Sequence, residues 1–492
     1  MVHLGRISLR EWQKPKINVS SPVVPKGKLH KAAQTVAFLL LASSAAFSFL
    51  QLFSLPHAEP ERKEPAGLLR THITVNGKPL KASKEERLPL TSHCSSLIDG
   101  SEDSGETGFL CCDRSSYRSD VCYMKGDIRT SSSSSAVHLY HSGSLNLKEE
   151  KIRPYTRKWE RNITETIDEI KLKPVRTSLN RRHSCHVKHQ SPAVLFSTGG
   201  YTGNVYHEFN DGLIPLFLTA ERFEGNVVFV ILEYHNWWMN KYGPIIQRLT
   251  KHEIVDFAKD KRTHCFGELI VGLRIHDELS VNPGLTKSGK NIHDFQAVLA
   301  QAFRPPQNEP RQTLSRPRLT ILTRKGSRVL LNLKSVSRIA NKAGFDVETL
   351  SPKRNSDMGQ IYRVLHSSQV LIGVHGAALT HFLFMRPGSV FIQIVPLGLN
   401  WAADAYYGEP ARKLGLDYVE YRVRIGESSL SREYNATDPV LVRPESVNSK
   451  GWWETKRVYM DRQNVQVDTK RFRDLLARVY KRVVRKQELG SS

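Results

Sequence analysis

The sequence lacks patterns that would indicate a metal-dependent site. No Asp-x-Asp triplet, a common metal ligand at diphosphate sites, occurs in the 492 residues. The nearest approximation, Asp346-Val-Glu348, lies in a predicted strand, where alternate residues face one side, and we interpret it as structural. The six cysteines show no Cys-x-x-Cys spacing, so disulfides are favoured over a zinc site, although their pairing cannot be read from the sequence.

Acidic residues are scarce relative to basic ones. The chain has 48 Asp and Glu against 72 Lys and Arg, a formal net charge of +24. Such a surplus is typical of nucleic-acid-binding proteins, but here the basic residues are spread along the chain, so that class is not favoured. The charge equally suits a nucleotide-sugar, an acidic polysaccharide or an anionic membrane face.

One stretch near the N-terminus predicts a membrane anchor. Residues 32–55 contain no charged side chain and are numerous enough for a transmembrane helix, with a buried core helix as the alternative. The basic segment 1–31 is then a cytoplasmic tail, and the remainder is lumenal. Residues 56–185 predict a stem and a cysteine-containing lumenal region, where disulfides form. Asn162 and Asn435 are predicted glycosylation sites, whereas Asn18 stays cytoplasmic.

The rest of the chain is organised around residues 369–384. Residues 369–374 predict a buried strand and 378–384 a helix, joined by the tight turn His375-Gly376-Ala377-Ala378. The first N–H groups of a helix are unpaired, and small residues let a ligand approach the backbone, so the pattern predicts a phosphate cradle. A plain strand–helix corner with glycine for packing is the alternative.

Strands alternate with helices on both sides of this cradle, which predicts a doubly wound parallel sheet. The predicted strands are 318–323, 345–350, 369–374 and 390–395, and the predicted helices are 332–343 and 358–366. Such sheets bind ligands at the carboxyl ends of their strands. Arg324, Lys325 and Arg328 follow the first strand, so we expect them beside the cradle in a diphosphate site. Gln393 is placed to line the nucleoside pocket.

A second α/β array occupies residues 186–305, ahead of a lobe at 306–400 and a C-terminal extension at 401–492. Its predicted strands are 193–197, 226–232 and 266–273, and its predicted helices are 206–221, 240–249 and 294–303. Pro215 must kink the first helix or shift its start. The proline-rich segment 305–310 predicts a linker, and the amphipathic helix 469–487 is expected to pack back across the lobes.

Three motifs carry a resemblance to glycosyltransferase family 61. They are Gly199–Asp211, Thr323–Arg328 and Gly373–His381, and the resemblance covers about residues 191–472. The tail pieces Tyr406–Arg412 and Gln463–Asp468 resemble its plant branch. The resemblance implies an α/β fold of two Rossmann-like lobes of the GT-B type behind the membrane helix and stem. It also implies an inverting enzyme of the Golgi membrane, which transfers arabinofuranose or xylose from a UDP-sugar to xylan.

Because the chain has no Asp-x-Asp triplet and has Arg324, Lys325 and Arg328 available, we expect cationic side chains to neutralise the departing UDP, with neither a metal ion nor another cofactor. His207 and Asp211 lie four residues apart on one helical face, and either can accept a proton from the acceptor, with Asp211 ranked slightly ahead. Asn204, Trp237 and Trp238 are predicted acceptor-binding residues. A helix-capping His–Asp pair and tryptophans in the core are the structural alternatives.

Other functions remain open from the sequence alone. A transferase that adds xylose or N-acetylglucosamine to glycoproteins shares these motifs. A non-catalytic glycan-binding partner in a Golgi glycosyltransferase complex needs only the binding residues. A basic anchoring protein that binds polyanions needs only the charge.

Overall fold

The computed structural model describes residues 90–100, 108–142, 146–177, 184–304 and 316–489. The predicted cytoplasmic tail, membrane span, Asn18 and linker 305–310 lie outside these ranges. Within them, no helix has both the length and the apolar character needed to cross a membrane. The described chain is a mixed α/β structure with two sheets.

The first sheet has ten strands in the order β4-β5-β3-β2-β10-β7-β8-β9, with β1 paired to β2 and β6 to β10. Strands β7 to β10 form its parallel part, and β2 runs antiparallel to β10. The strands are β1 (Phe109–Asp113), β2 (Val121–Ser131), β3 (Ala136–His141), β4 (Glu150–Ile152), β5 (Ile170–Arg176), β6 (Val187–Lys188), β7 (Ala193–Ser197), β8 (Val228–Leu232), β9 (Val255–Asp256) and β10 (His264–Val271).

The cysteine-containing region therefore contributes to this sheet, since β1 to β5 all precede residue 185. Its disulfides join Cys94 to Cys111 and Cys112 to Cys122, and a third joins Cys185 to Cys265. The predicted disulfides are confirmed. Because all six cysteines are paired, none is left for the zinc site kept as an alternative.

The second sheet is parallel throughout, with the order β12-β11-β13-β14-β15. The strands are β11 (Arg318–Leu322), β12 (Asp346–Leu350), β13 (Val370–Val374), β14 (Val390–Val395) and β15 (Asp417–Arg422). The chain moves from β11 to one side and then crosses to β13 on the other. This reversal is the switch point where doubly wound sheets bind ligands. Four of these strands were predicted, and β15 was not.

The helices that were predicted lie close to their predicted positions. They are α1 (Leu90–Asp99), α2 (Arg161–Thr164), α3 (Val205–His207), α4 (Ile214–Ala220), α5 (Asn236–Leu249), α6 (Ile292–Phe303), α7 (Leu333–Lys342), α8 (Met358–Ser367), α9 (Asn400–Ala403), α10 (Glu409–Lys413), α11 (Pro439–Val442), α12 (Glu445–Asn448), α13 (Trp452–Thr455) and α14 (Thr469–Leu489). Helices α1, α2 and α9 to α13 were not predicted. The segment predicted as a helix after the cradle is a 3-10 helix, Ala377–Phe384.

One apolar core continues from the first sheet to the second. The ring of Phe384 lies 6.0 Å from that of Phe209 and 6.1 Å from that of Phe303. Helix α14 buries its predicted apolar face, including Phe472 and Leu476, in a separate core of the second sheet. This corrects the expectation that α14 packs across both lobes, because its buried partners belong to the second sheet.

Candidate active site

The first part of the site is a helical segment with a change of pitch. Helix α3 ends at His207, a π-helical stretch follows at Glu208–Leu213, and α4 continues to Ala220. Pro215 lies at the start of α4 and has no N–H to donate to the carbonyl of Asp211. The hydroxyl of Thr156 donates to that carbonyl instead, at 2.8 Å. π-Helical turns are frequent at functional sites.

His207 and Asp211 meet on one face of this segment, as predicted. The distance from His207 Nδ1 to Asp211 Oδ2 is 2.6 Å. Asp211 Oδ2 also accepts from Arg157 Nε at 2.8 Å and from the Tyr155 hydroxyl at 3.3 Å. Asp211 Oδ1 accepts from the Asn210 amide at 2.8 Å. Both carboxylate oxygens are therefore already engaged.

These contacts reverse the order in which the two candidate bases were ranked. Asp211 is 1% exposed. Burial alone raises its pKa, but the hydrogen bonds and positive charges of His207 and Arg157 outweigh burial and hold that pKa below its usual range. A carboxylate so buried and so well paired is placed to orient its histidine, and we expect it to be the weaker candidate for taking a proton from an acceptor. His207 thus presents Nε2 as the candidate base, with Asp211 fixing the tautomer.

Two tyrosines hold the imidazole of His207 in place. The ring of Tyr201 stacks on it with a centroid distance of 4.1 Å, and Tyr206 contacts it edge-on at 5.2 Å. The Tyr201 hydroxyl donates to Glu160 at 2.6 Å, and Glu160 also pairs with Arg157. Within the described part of the chain, no residue is hydrogen-bonded to His207 Nε2. The ring is therefore fixed while one nitrogen remains available.

The three predicted acceptor residues have different environments. Asn204 caps α3 by accepting from the Tyr206 N–H at 3.1 Å, which is a structural role. Trp238 is 2% exposed and donates to the buried Glu208 at 2.6 Å, so its ring is not available to a sugar. Trp237 is half-buried beside Arg354, whose guanidinium lies 4.0 Å from the ring centroid. Trp237 also lines a cavity of about 990 Å³, and its role in acceptor binding stays a prediction.

The second part of the site lies at the carboxyl ends of β11 and β13, at the switch point. A cavity of about 300 Å³ there is lined by Arg324, Lys325, Gly376, Ala377 and Ala378. The structure therefore brings these five predicted donor residues together. Gly376 has a φ of 153°, which other residues rarely adopt, and a Cβ on it would clash with Arg324 Nη1 in its present position. Glycine thus leaves room for Arg324 at the turn, where it donates to the His375 carbonyl at 3.1 Å.

Within the described residues, neither Arg324 nor Arg328 forms an ion pair with an acidic side chain. Arg328 is buried, and its Nε and Nη1 atoms have no hydrogen-bond partner in the described chain; nor has Arg324 Nε. Burial and the charge of Arg324 lower the pKa of Arg328 to about 10. Arg328 also has a left-handed φ of 54°. A buried guanidinium group at a strained backbone position, with a half-buried one beside it, is costly unless an anion pairs with them.

His375 and Gln393 lie behind this cavity instead of lining it. Gln393 is fully buried, and its amide donates to His375 Nδ1 at 2.8 Å while accepting from the Tyr418 hydroxyl at 2.7 Å. Burial, with the charges of Arg328 and Arg324, lowers the pKa of His375 to about 3. His375 is therefore neutral, and its carbonyl is the group that meets Arg324. The prediction that Gln393 lines a nucleoside pocket is not supported by this position.

An aromatic bridge joins the two parts of the site. The ring of Tyr206, next to His207, lies 6.0 Å from that of Tyr407. Tyr407 in turn contacts His375 edge-on at 5.3 Å. The segment that carries the candidate base and the turn of the basic cradle are therefore linked through packed aromatic rings. Within the described residues, no group of three His, Cys, Asp or Glu side chains could hold a metal ion.

Comparison with known proteins matches this region to a family. The family model "Glycosyltransferase 61" matches residues 205–392, which include both His207 and the cradle. Xylan glycosyltransferase MUCI21 of Arabidopsis thaliana is 50% identical over 79% of this chain and 83% of its own length. The chain belongs to glycosyltransferase family 61.

Two other relatives in this family come from Oryza sativa subsp. japonica. Alpha-1,3-arabinosyltransferase XAT3 is 35% identical over 74% of this chain and 64% of its own length. Beta-1,2-xylosyltransferase XYXT1 is 32% identical over 75% of this chain and 83% of its own length. The first and third of these relatives are thus matched over most of their length, and the second over about two thirds.

Several site residues of this family-61 chain were missed by the sequence analysis. Tyr155, Thr156 and Arg157 all contact Asp211 but lie in the region before residue 185, which had no interpretable periodicity. The segment Gln463-Asn464 was recognised only through its resemblance to the plant branch of the family. Its Gln463 carbonyl and Asn464 side chain accept from the N–H groups of residues 328 and 329, which fixes the basic loop.

Proposed function

We propose that this chain transfers a pentose, arabinofuranose or xylose, from a UDP-sugar to xylan with inversion at the anomeric carbon. The observation that carries the proposal is the presence of a fixed His207–Asp211 dyad together with a basic cradle in which guanidinium N–H groups of Arg324 and Arg328 have no partner among the described residues. The names of the relatives support the choice of xylan and of a pentose. They include both an arabinosyltransferase and a xylosyltransferase, so the pentose is left to experiment.

In the proposed reaction, His207 Nε2 accepts the proton of an acceptor hydroxyl as its oxygen attacks the anomeric carbon. The bond from that carbon to the UDP oxygen breaks, and the electron pair leaves with UDP. Asp211 stabilises the imidazolium through Nδ1–H. Arg324 and Arg328 bind the diphosphate, whose negative charge grows as the bond breaks.

We further propose that guanidinium groups, and not a metal ion, neutralise the leaving diphosphate. Arg324, Arg328 and the exposed Lys325 supply positive charge at the switch point. We also propose a two-lobed GT-B arrangement in which the first sheet supplies the base and the second binds the donor. The proposed location is the Golgi membrane, in type II orientation with this region in the lumen, which suits three disulfides.

A donor screen tests the proposal. Purified protein is incubated with xylo-oligosaccharide and, separately, UDP-arabinofuranose, UDP-xylose and UDP-N-acetylglucosamine, and products are read by mass and linkage. We expect one pentose donor to yield a product with inverted anomeric configuration. Transfer from UDP-N-acetylglucosamine alone would favour the glycoprotein-modifying alternative. Binding of xylo-oligosaccharide without UDP release from any donor would favour a non-catalytic partner.

A further inference from the structure

The exposed aromatic rings of the described chain are confined to two small areas. The N-terminal patch is Tyr117 and Trp159, which are 69% and 42% exposed. The C-terminal patch is Trp401, Trp452 and Trp453, which are 46%, 40% and 68% exposed. Exposed large aromatic rings in a cluster mark binding surfaces more often than chance. The two patches come from separate parts of the chain and are not explained by the reaction chemistry.

The N-terminal patch is connected to the candidate base. The rings of Tyr117 and Trp159 lie 5.6 Å apart, and the guanidinium of Arg118 lies 5.6 Å from Trp159. The guanidinium of Arg157 lies 5.1 Å from the Trp159 ring and, through Nε, binds Asp211. One arginine therefore contacts both the exposed ring and the carboxylate that orients His207.

The C-terminal patch reaches the same histidine through other neighbours. The ring of Trp401 lies 6.4 Å from that of Trp452 and 5.9 Å from that of Tyr406. Tyr406 lies 5.5 Å from Tyr206, which contacts His207 edge-on. A continuous row of rings thus leads from exposed tryptophans to the base. This row shares no residue with the contacts made by the N-terminal patch.

Sugar rings bind aromatic side chains through their apolar C–H faces, and an exposed indole is well suited to such stacking. We propose that the two patches are subsites for sugar rings of an extended polysaccharide, on either side of the ring that accepts the new sugar. This deepens, and rests on, the proposed transfer to a polysaccharide acceptor. The two patches reach His207 through different neighbours, so we assign them to different sugar rings. On this assignment the reacting ring is an internal residue of the chain.

Acceptor length is the variable that tests this assignment. We would compare Trp452→Ala and Trp159→Ala with wild type on xylobiose and on xylohexaose, measuring KM, kcat and direct oligosaccharide binding by calorimetry. Each variant should raise the KM for xylohexaose and weaken xylohexaose binding by about ten-fold, the effect expected from the loss of one stacking contact. For Trp452→Ala, which does not contact Arg157, the values for xylobiose should be unchanged, and both variants should keep the wild-type affinity for UDP. Trp452→Phe, which keeps an apolar ring face, should restore most of the loss.

The outcomes separate this inference from the proposed function. If no UDP-pentose is used but xylohexaose binding falls in both alanine variants, the reaction is wrong and the subsites stand. If transfer occurs but both alanine variants keep wild-type xylohexaose affinity, the subsites are wrong. Equal losses on xylobiose and xylohexaose in Trp452→Ala would also overturn them, because a merely structural effect is independent of acceptor length. Thermal unfolding identifies any variant that fails to fold. If Trp159→Ala fails to fold, the Trp452 variants alone test the assignment, because Trp452 does not contact Arg157.

Discussion

The carboxylate of Asp211 receives contacts from His207, Arg157, Tyr155 and Asn210. Each of these groups can donate a hydrogen bond to an ionised carboxylate, and together they favour its charged form over burial. The proton accepted from the acceptor is therefore expected to stay on His207. Asp211 contributes by holding Nδ1–H and by balancing the positive charge that develops on the ring.

His207→Ala should lower kcat by about 10²–10⁴, the range for loss of a general base. Asp211→Asn keeps the shape of the side chain but removes its charge, and should also lower kcat. Because both variants act on one proton transfer, the double variant should be little worse than His207→Ala. Steady-state kinetics with the active donor measures each value.

Two controls accompany this series. UDP affinity and the melting temperature of His207→Ala should match wild type, because His207 lies apart from the cradle. Wild-type kcat in His207→Ala would exclude it as the base, and Glu208 or His235 would be tested next. If the variants merely unfold, the helix-capping alternative for the pair is the better account.

Arg324 and Arg328 lie in an environment where a positive charge without a counter-charge lowers the free energy of unfolding. Arg328→Ala should weaken UDP affinity by roughly ten- to one-hundred-fold, since a hydrogen bond to a charged group contributes about 1.5–3 kcal/mol. Arg324→Ala should behave alike, and the loss should shrink as salt rises. UDP should raise the melting temperature of wild type more than that of either variant. Calorimetry and thermal unfolding provide these values.

Arg338, which is exposed on α7, offers a matched control for charge removal. Arg338→Ala should leave UDP affinity unchanged. Unaltered UDP affinity in both Arg324→Ala and Arg328→Ala would remove the basic loop from the site. A large loss of folding stability in Arg328→Ala without UDP would contradict the view that its charge is held for a ligand.

At the scale of elements, Pro215 and Thr156 determine where the Asp211 backbone lies. The proline has no N–H to donate to the Asp211 carbonyl, and the Thr156 hydroxyl donates to this carbonyl. Thr156→Val removes this donor and leaves a buried carbonyl unpaired, at a cost of about 1–3 kcal/mol. We expect a lower melting temperature and a lower kcat, with UDP affinity unchanged. Thr156→Ser keeps the hydroxyl and should retain wild-type kcat; equal kcat in both variants would show that this bond does not position Asp211.

The elements that could be predicted are those whose pattern is local. Strands β13 and β14 are buried on both faces, so they appear in the sequence as continuous apolar runs. The π-helical stretch at Glu208–Leu213 could be anticipated only as a disturbance near Pro215. Strands β1 to β5 were missed because their burial depends on partners distant in sequence, such as β10 against β2. Arg157 was missed with them.

Site residues could be predicted where their partners lie in the same short motif or at neighbouring strand ends. His207 with Asp211, and Arg324 with Gly376, follow from spacing and strand ends. Trp238 and Gln393 could not be assigned correctly, because their burial and partners come from tertiary packing. The ranking of Asp211 and His207 as candidate bases depended on Arg157, which belongs to a different part of the chain.

At the scale of the whole molecule, the positive charge at the switch point determines the expected response to chelators. We propose that Arg324 and Arg328 supply the charge that a divalent cation supplies at other diphosphate sites. Activity should therefore persist after treatment with EDTA and dialysis into metal-free buffer. Full loss of turnover that manganese restores would contradict this expectation. UDP affinity measured in the same buffers shows whether any change acts on donor binding.

The orientation of the chain in the membrane makes a separate prediction. Asn162, in α2, and Asn435 are both exposed, so oligosaccharyltransferase can reach them if this region is lumenal. Asn18 lies outside the described residues and on the cytoplasmic side of the predicted span. In protein expressed in plant cells, we expect glycans on Asn162 and Asn435 but not on Asn18, read by mass spectrometry of glycosidase-treated peptides. Asn162→Gln and Asn435→Gln should each remove one mobility shift, and unmodified asparagines at both positions would overturn the type II orientation.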